Sequence, residues 1–254
     1  MTKVIQTIEE WKTLRNSPAL NSKSLGFVPT MGALHAGHTK LVEQSRSEND
    51  LTLVSIFINP TQFNEPRDYK EYPRVFDQDL EALTHDDVDF VFAPSFEELY
   101  PDCYRFQVSE TFLSRDLCGS HRPGHFTGML TVVLKLLLLA KANRAYFGEK
   151  DYQQYLLVRG LADAFFLEST IVPVSTVRDA DGLALSSRNT RLTRRERERA
   201  PLFSRLLSSS APPKEIKREL EQAGFSVDYI EDRCGRRFGA VRLGSVRLID
   251  NVAL

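Results

Sequence analysis

Cysteine is scarce in this chain: three in 254 residues, Cys103, Cys118 and Cys234, far apart and odd in number. That count excludes a disulfide framework, and the spacing offers no paired ligands for a zinc ribbon. The thiols read as reduced, which fits a cytoplasmic protein. An excess of one charge is missing too. Lys and Arg total 33 against 34 for Asp and Glu, a net charge of −1. A chain that coats nucleic acid or anionic membrane usually carries a large positive excess, so neither partner is expected. Long apolar runs are also absent. The longest, Met129–Ala140, carries Lys135 in its middle and falls short of the roughly 20 residues that span a bilayer. It reads as a buried helix, with Lys135 snorkelling to solvent. Residues 1–15 lack the basic start and apolar core of a secretory leader.

What is present is ordinary globular material, 42% hydrophobic and 26% charged. At about 150 residues per domain, the length fits one large domain or two unequal ones. Five short β-branched or aromatic runs read as strands: Leu25–Thr30, Leu51–Ile58, Val88–Ala93, Arg144–Phe147 and Thr170–Val177. Between them, Thr39–Ser47, Pro73–Thr84, Phe126–Ala142 and Tyr152–Phe165 carry apolar residues at helical spacing. Alternation of this kind predicts parallel strands with right-handed crossovers, a Rossmann-like doubly wound α/β sheet. Ligands of such sheets bind outside the carboxyl ends of the strands.

The texture changes after about Ser187. Thr193 and Glu196 form a capping-box pattern opening a helix towards Leu207. Ser208–Pro213 reads as a loop, followed by a short helix to about Ala223 and strands at Phe225–Ile230, Ala240–Leu243 and Val246–Ile249. The expected organisation is a catalytic domain over 1–184 and a small α+β domain over 185–254.

Four segments at expected strand exits carry chemistry. In the first, Met31-Gly32-Ala33-Leu34-His35-Ala36-Gly37-His38, two histidines flank a glycine at a helix entry. Free backbone N–H groups and the helix dipole make such an end an anion site, and two imidazoles there can donate to a phosphate. A metal pair would need further ligands at regular spacing, and an incidental surface turn is the plain alternative. In the second, Asn59 and Gln62 are neutral donor–acceptor groups where the best strand ends. The third, Arg122 to Gly128, leads through His125 into the apolar helix. The fourth pairs Phe147–Gln154 with Arg178–Asn189, which offer Lys150 as a mobile cation, the hydroxyls of Ser186 and Ser187, and the Arg188 guanidinium fork.

In this order and at these intervals, PTMGALHAGH, SIFINPTQF, RPGHFTG, FGEKDYQQ and DGLALSSRN resemble the pantothenate synthetase (pantoate–β-alanine ligase) family. The likeness runs from about residue 25 to residue 200, with an echo in Arg247-Leu248-Ile249-Asp250-Asn251. The HxGH element alone would indicate only the wider nucleotidyltransferase group. The resemblance implies that ATP, with Mg²⁺, activates pantoate as pantoyl adenylate, and that β-alanine then displaces AMP. It places Met31 to His38, Gly148 to Asp151, Val177 and Leu185 to Arg188 along ATP. His38 takes the role of proton donor, and His35 and Lys150 assist at the phosphates. Gln62 and Gln154 hold pantoate, with Gln62 also near β-alanine. Asn59, Arg122 and His125 are secondary members, and Asp79 is a group near the Mg²⁺, for which no protein ligand is assigned. A homodimer is implied, with Leu51–Ile58 or nearby helices as interface material. The C-terminal region acts as a lid and is short for the family.

Two other readings compete with this one. Another HxGH nucleotidyltransferase with a different acceptor would share the histidines but have no use for Gln62 and Gln154. A nucleic-acid binder could use the arginines of 191–199, although their spacing with Glu196 and Glu198 fits a solvated helix face.

Overall fold

Strand-forming residues pair where the alternation places them, in a computed structural model that describes residues 2–254. The strands are β1 (Lys3–Ile5), β2 (Leu25–Thr30), β3 (Leu51–Ile56), β4 (Phe90–Phe92), β5 (Arg144–Gly148) and β6 (Thr170–Val174). They form one parallel sheet in the order β1-β4-β3-β2-β5-β6. The sequence reading lacked β1, whose three residues are too few to show a period. It also ran β3 two residues long and β6 three. β6 lies at the sheet edge, which is where Pro173, having no N–H to donate, is tolerated.

β3 is buried along its whole length between β2 and β4. It is therefore unavailable as the subunit interface suggested for it. The helix expected from Pro73 starts at Phe76 instead. Arg74 donates to the carbonyls of Tyr69 and Tyr72, at 3.3 and 3.2 Å, and holds the preceding residues in a turn.

Helices cover both faces of the sheet. His125–Ala140 and Tyr152–Ala164 pack on one side, over Phe27, Leu53 and Ala145. Ala36–Glu48 and Phe76–His85 lie over Val28, Val54 and Tyr146 on the other. Lys135 does not snorkel. Its ammonium donates to Leu99 O at 2.8 Å, lies 3.3 Å from Asp102, and sits over the Tyr100 ring. A cation on the apolar helix thereby fastens the segment after β4.

Beyond β6 the chain forms a separate antiparallel meander, β7 (Ser226–Arg233), β8 (Arg236–Leu243) and β9 (Val246–Ala253). The helix capped by Thr193 breaks at Pro201 into Arg194–Arg199 and Pro201–Leu207. With Pro213–Gln222, they supply a second core around Phe203, Leu207, Ile216, Leu220, Val241 and Leu248, which also takes in Leu183. Tyr229, Phe238 and Ala240 instead join the large core beside the parallel sheet. Asp250, its side chain 1% exposed, pairs with both terminal nitrogens of Arg178 at 2.6 and 2.9 Å. The arginines of the 191–199 region are largely engaged by carboxylates: Arg191 with Asp68 and Glu71, Arg194 with Glu198, Arg197 with Asp179 and Asp181. Among the described residues, no helix is long and apolar enough to cross a membrane.

Candidate active site

The strand order reverses direction between β2 and β5, because β3 and β4 continue to one side of β2 while β5 and β6 lie on the other. At such a switch point the loops diverge and leave a crevice. A cleft of about 440 Å³ opens there, reaching the serine loop, Leu185–Arg188, and β9 of the C-terminal meander.

β2 delivers Met31 and the two histidines. Asp79, buried on the neighbouring helix, accepts from Ala33 N and Leu34 N at 2.8 and 2.7 Å. This shapes the turn in which Ala33 adopts a positive φ of 51°. Both Asp79 oxygens serve that turn. His35 then caps the helix Ala36–Glu48: its Nδ1 accepts from Gly37 N at 3.1 Å. His38 Nδ1 accepts from His35 N at 3.3 Å. A Cβ on Gly37 would come within 2.8 Å of the His35 ring. The glycine thus makes room for its neighbour's imidazole.

These bonds fix both tautomers. With each Nδ1 accepting, each Nε2 carries the proton. The rings lie 4.1 Å apart between centroids. Burial, then the Lys150 charge, holds His35 down to about 4, although Asp151 works against it. Burial, then His35 and Lys150, holds His38 down to about 3. At neutral pH both are neutral rings, each with one N–H to donate.

Gln62 stands in the turn after β3. Asn59, 1% exposed, donates to Gln62 Oε1 at 3.1 Å and to Gly128 O at 3.2 Å, and accepts from Tyr100 OH. A Cβ at Gly128 would lie 2.3 Å from Thr61 O, so the apolar helix reaches this turn only because a glycine is there. His125 Nδ1 donates to Gln62 O at 2.8 Å, leaving Nε2 to accept from Arg122 at 2.9 Å. Burial, then the Arg122 charge, pushes His125 down to about 3, so it too is neutral. Asn59, Arg122 and His125 therefore hold Gln62 in place from three directions.

β5 ends at Gly148, and its following turn brings Lys150 and Asp151 to the cleft, with Gln154 one helical turn further on. The Lys150 ammonium is 3.9 Å from Asp151. Val177 lines the cleft, its carbonyl accepting from Leu185 N. In the serine loop, Ser186 Oγ accepts from Arg188 N, and Ser187 lies 3.3 Å from the Tyr72 hydroxyl. Arg188 is engaged with Asp68, at 2.8 Å, over the Tyr72 ring.

The structure therefore brings Met31, His35, Gly37, His38, Gln62, Gly148, Lys150, Asp151, Gln154, Val177 and Leu185 to Arg188 around one cleft. Gly32, Ala33, Leu34, Ala36 and Glu149 lie in the same loops but do not line it. Gly32 to Leu34 shape the turn, and Glu149 faces Arg236 at 3.8 Å. Sequence reasoning gave no role in this site to Tyr72, Arg191, Arg247 or Asn251. The RLIDN echo was the signal for the last two, and its register on β9 supplies their placement.

Comparison with known proteins points to one family. A family model described as pantoate-beta-alanine ligase matches residues 3–253. Pantothenate synthetase of Bdellovibrio bacteriovorus is 49% identical over 254 residues, covering all of both chains. That of Legionella pneumophila (strain Corby) is 51% identical over 253 residues, 99% of each. The C-terminal region is therefore no shorter here than in these relatives. Among solved structures, pantoate-beta-alanine ligase from Francisella tularensis, complexed with beta-gamma ATP and beta-alanine, superposes with a TM-score of 0.95. It is 42% identical and covers 100% of this chain and 98% of its own. Pantothenate synthetase from Thermus thermophilus gives 0.89 at 39% identity, over 99% of each chain. The chain belongs to the pantoate-beta-alanine ligase family.

Proposed function

We propose that this enzyme condenses pantoate with β-alanine in two ATP-driven steps within the single cleft. The pantoate carboxylate attacks the α-phosphorus of ATP, forming pantoyl adenylate and releasing pyrophosphate. The β-alanine amine then attacks the acyl carbon, and the C–O bond to AMP breaks. One observation carries the reading: phosphate-donor groups and a pair of neutral amides share one cavity.

The Nε2–H groups of His35 and His38 donate to the phosphates as charge builds on them, with Lys150 as a nearby point charge. Because His38 is neutral, its part is a hydrogen bond already aimed at the oxyanion. Neutral imidazoles keep the site from storing charge repulsion beside Lys150. Gln62 and Gln154 orient pantoate by its polar groups. Gly148 to Asp151 follow the ribose and phosphates, Val177 meets the adenine through its backbone, and Leu185 to Arg188 close over the triphosphate as part of a lid formed by the C-terminal domain.

Mg²⁺ enters as part of the nucleotide substrate and keeps most of its waters. Asp151, 47% exposed and held by nothing closer than Lys150, is the cleft carboxylate suited to meet it; Asp68 and Glu65 are tied to arginines. A cytoplasmic homodimer completes the proposal, and exposed Phe106 and Phe112 are apolar surface for a second copy to cover.

Pantoate-dependent exchange of pyrophosphate into ATP, measured without β-alanine, tests the reading. Exchange supported by pantoate is expected. Exchange with a different acid and none with pantoate would move the chain to another acceptor.

A further inference from the structure

Three arginines from three separate elements converge on the Gln62 side of the cleft. Arg122 precedes the apolar helix, Arg188 sits in the serine loop, and Arg247 projects from β9; all three line the cavity. Their carboxylate partners are unequal. Arg188 is paired with Asp68. Arg247 uses only its Nε on Asp228, at 2.7 Å, while Nη1 faces the Cys118 sulfur at 3.5 Å. Its Nη2 is buried and has no hydrogen-bond partner among the described residues. Among the described residues, the Arg122 side chain hydrogen-bonds only with the neutral His125 ring and the Gln62 carbonyl. Burial, then the charges of Arg188 and Arg247, lowers Arg122 to about 10.

A buried donor without an acceptor is costly, and more so when it is charged. Crowding cations raises that cost. A small anion between Arg122 and Arg247 would relieve both, since guanidinium forks match a carboxylate in geometry. The phosphates have their own donors in the two histidines, Lys150 and the serine loop. In the reaction proposed above, on which this inference rests, the acceptor's carboxylate is the anion with no assigned partner.

We propose that Arg247, together with Arg122, binds the carboxylate of the amino-acid acceptor and so selects a β-amino acid over a simple amine. The C-terminal sheet then reads the second substrate directly.

The test compares Arg247→Met and Arg247→Lys with the wild type in three assays: pyrophosphate exchange with pantoate, pantothenate formation against β-alanine concentration, and trapping by hydroxylamine. Hydroxylamine has no carboxylate and converts pantoyl adenylate to pantoyl hydroxamate. The KM for β-alanine should rise roughly tenfold or more in Arg247→Met and recover partly in Arg247→Lys. The defect should be confined to the second half-reaction, with hydroxamate formation close to wild type. Parallel losses in all three assays would make Arg247 merely structural, and a raised KM for pyrophosphate would assign the arginines to the leaving group. An unchanged KM for β-alanine would also overturn the proposal. Failure of the wild-type exchange would instead strike the ligase reading itself.

Discussion

Asn251 holds the Lys150 turn: its side-chain amide donates to the backbone carbonyls of Glu149 and Lys150, at 2.7 and 3.0 Å. Arg236 Nε in turn donates to Asn251 Oδ1 at 2.8 Å and fixes which way the amide points. A strand of the small domain thereby positions a cation of the large one. Displacing a catalytic group by an ångström costs up to about a hundredfold in rate. Asn251→Ala should lower kcat for pyrophosphate exchange by roughly ten- to a hundredfold while affecting KM for pantoate little. A fall in thermal stability with an unchanged kcat would show that the contact only holds the domains together.

His38→Ala removes a cleft-lining imidazole and the acceptor for His35 N. Loss of one preorganised donor to developing charge costs roughly 10²–10³ in rate. The expected result is a fall of that size in single-turnover adenylation with ATP affinity largely kept. A rate within twofold of wild type would remove His38 from the chemistry.

Much of this was legible in the sequence, for a physical reason. Ligands of a doubly wound sheet bind at strand exits, so local pattern drew attention to His35, His38, Gln62 and Lys150, while the choice of Gln154 rested on the family resemblance. The long-range partners could not. Asp79 lies more than 40 residues from the turn that it shapes, and nothing near it in sequence indicates that its oxygens go to Ala33 and Leu34. Lys135 looked anomalous in an apolar helix because Asp102, its partner, belongs to a loop that only the fold brings near. Arg247 and Asn251 were visible as letters of an echo. Their function depends on β9 running beside the cleft, which no period in the sequence encodes.

Gln154 lines the cleft on the helix following the Lys150 turn, and Gln62, which lines it too, is held by Asn59, Arg122 and His125. A side-chain amide facing a hydroxy acid loses both a donor and an acceptor on truncation. Gln154→Ala should weaken pantoate at least tenfold more than ATP, read from the two KM values in the exchange assay. Equal weakening of both substrates would place Gln154 away from pantoate.

Asp250 accepts from Arg178 twice, from Ser204 Oγ at 2.9 Å and from Asn251 N at 2.8 Å. Its carboxylate is almost fully buried. Removing one partner of such a pair costs about 3–5 kcal/mol, because the other charge is left unpaired. Asp250→Ala should lose stability on that order in urea unfolding followed by tryptophan fluorescence, with Trp11 as the probe on the parallel-sheet domain. A change below about 1 kcal/mol would mean that Arg178 finds water or another carboxylate in its place.

Stability should also depend on pH through the histidines of the site. His38 and His125 are held at about 3 and His35 at about 4, each below the roughly 6.5 of an unfolded chain. Between those values the unfolded chain binds protons that the folded one refuses. Folding stability from this source is whole above about pH 6.5 and declines as the pH falls towards 4 and below, at about 1.4 kcal/mol per unit for each group. Melting temperatures of the nucleotide-free protein from pH 8 to pH 4 should show that decline, and His38→Asn should flatten it. In the proposed site, bound ATP would add negative charge beside His35 and His38 and favour their protonated forms, so its stabilising effect should grow as the pH falls. Parallel pH profiles for wild type and His38→Asn would mean that His38 already titrates near its ordinary value in the empty cleft.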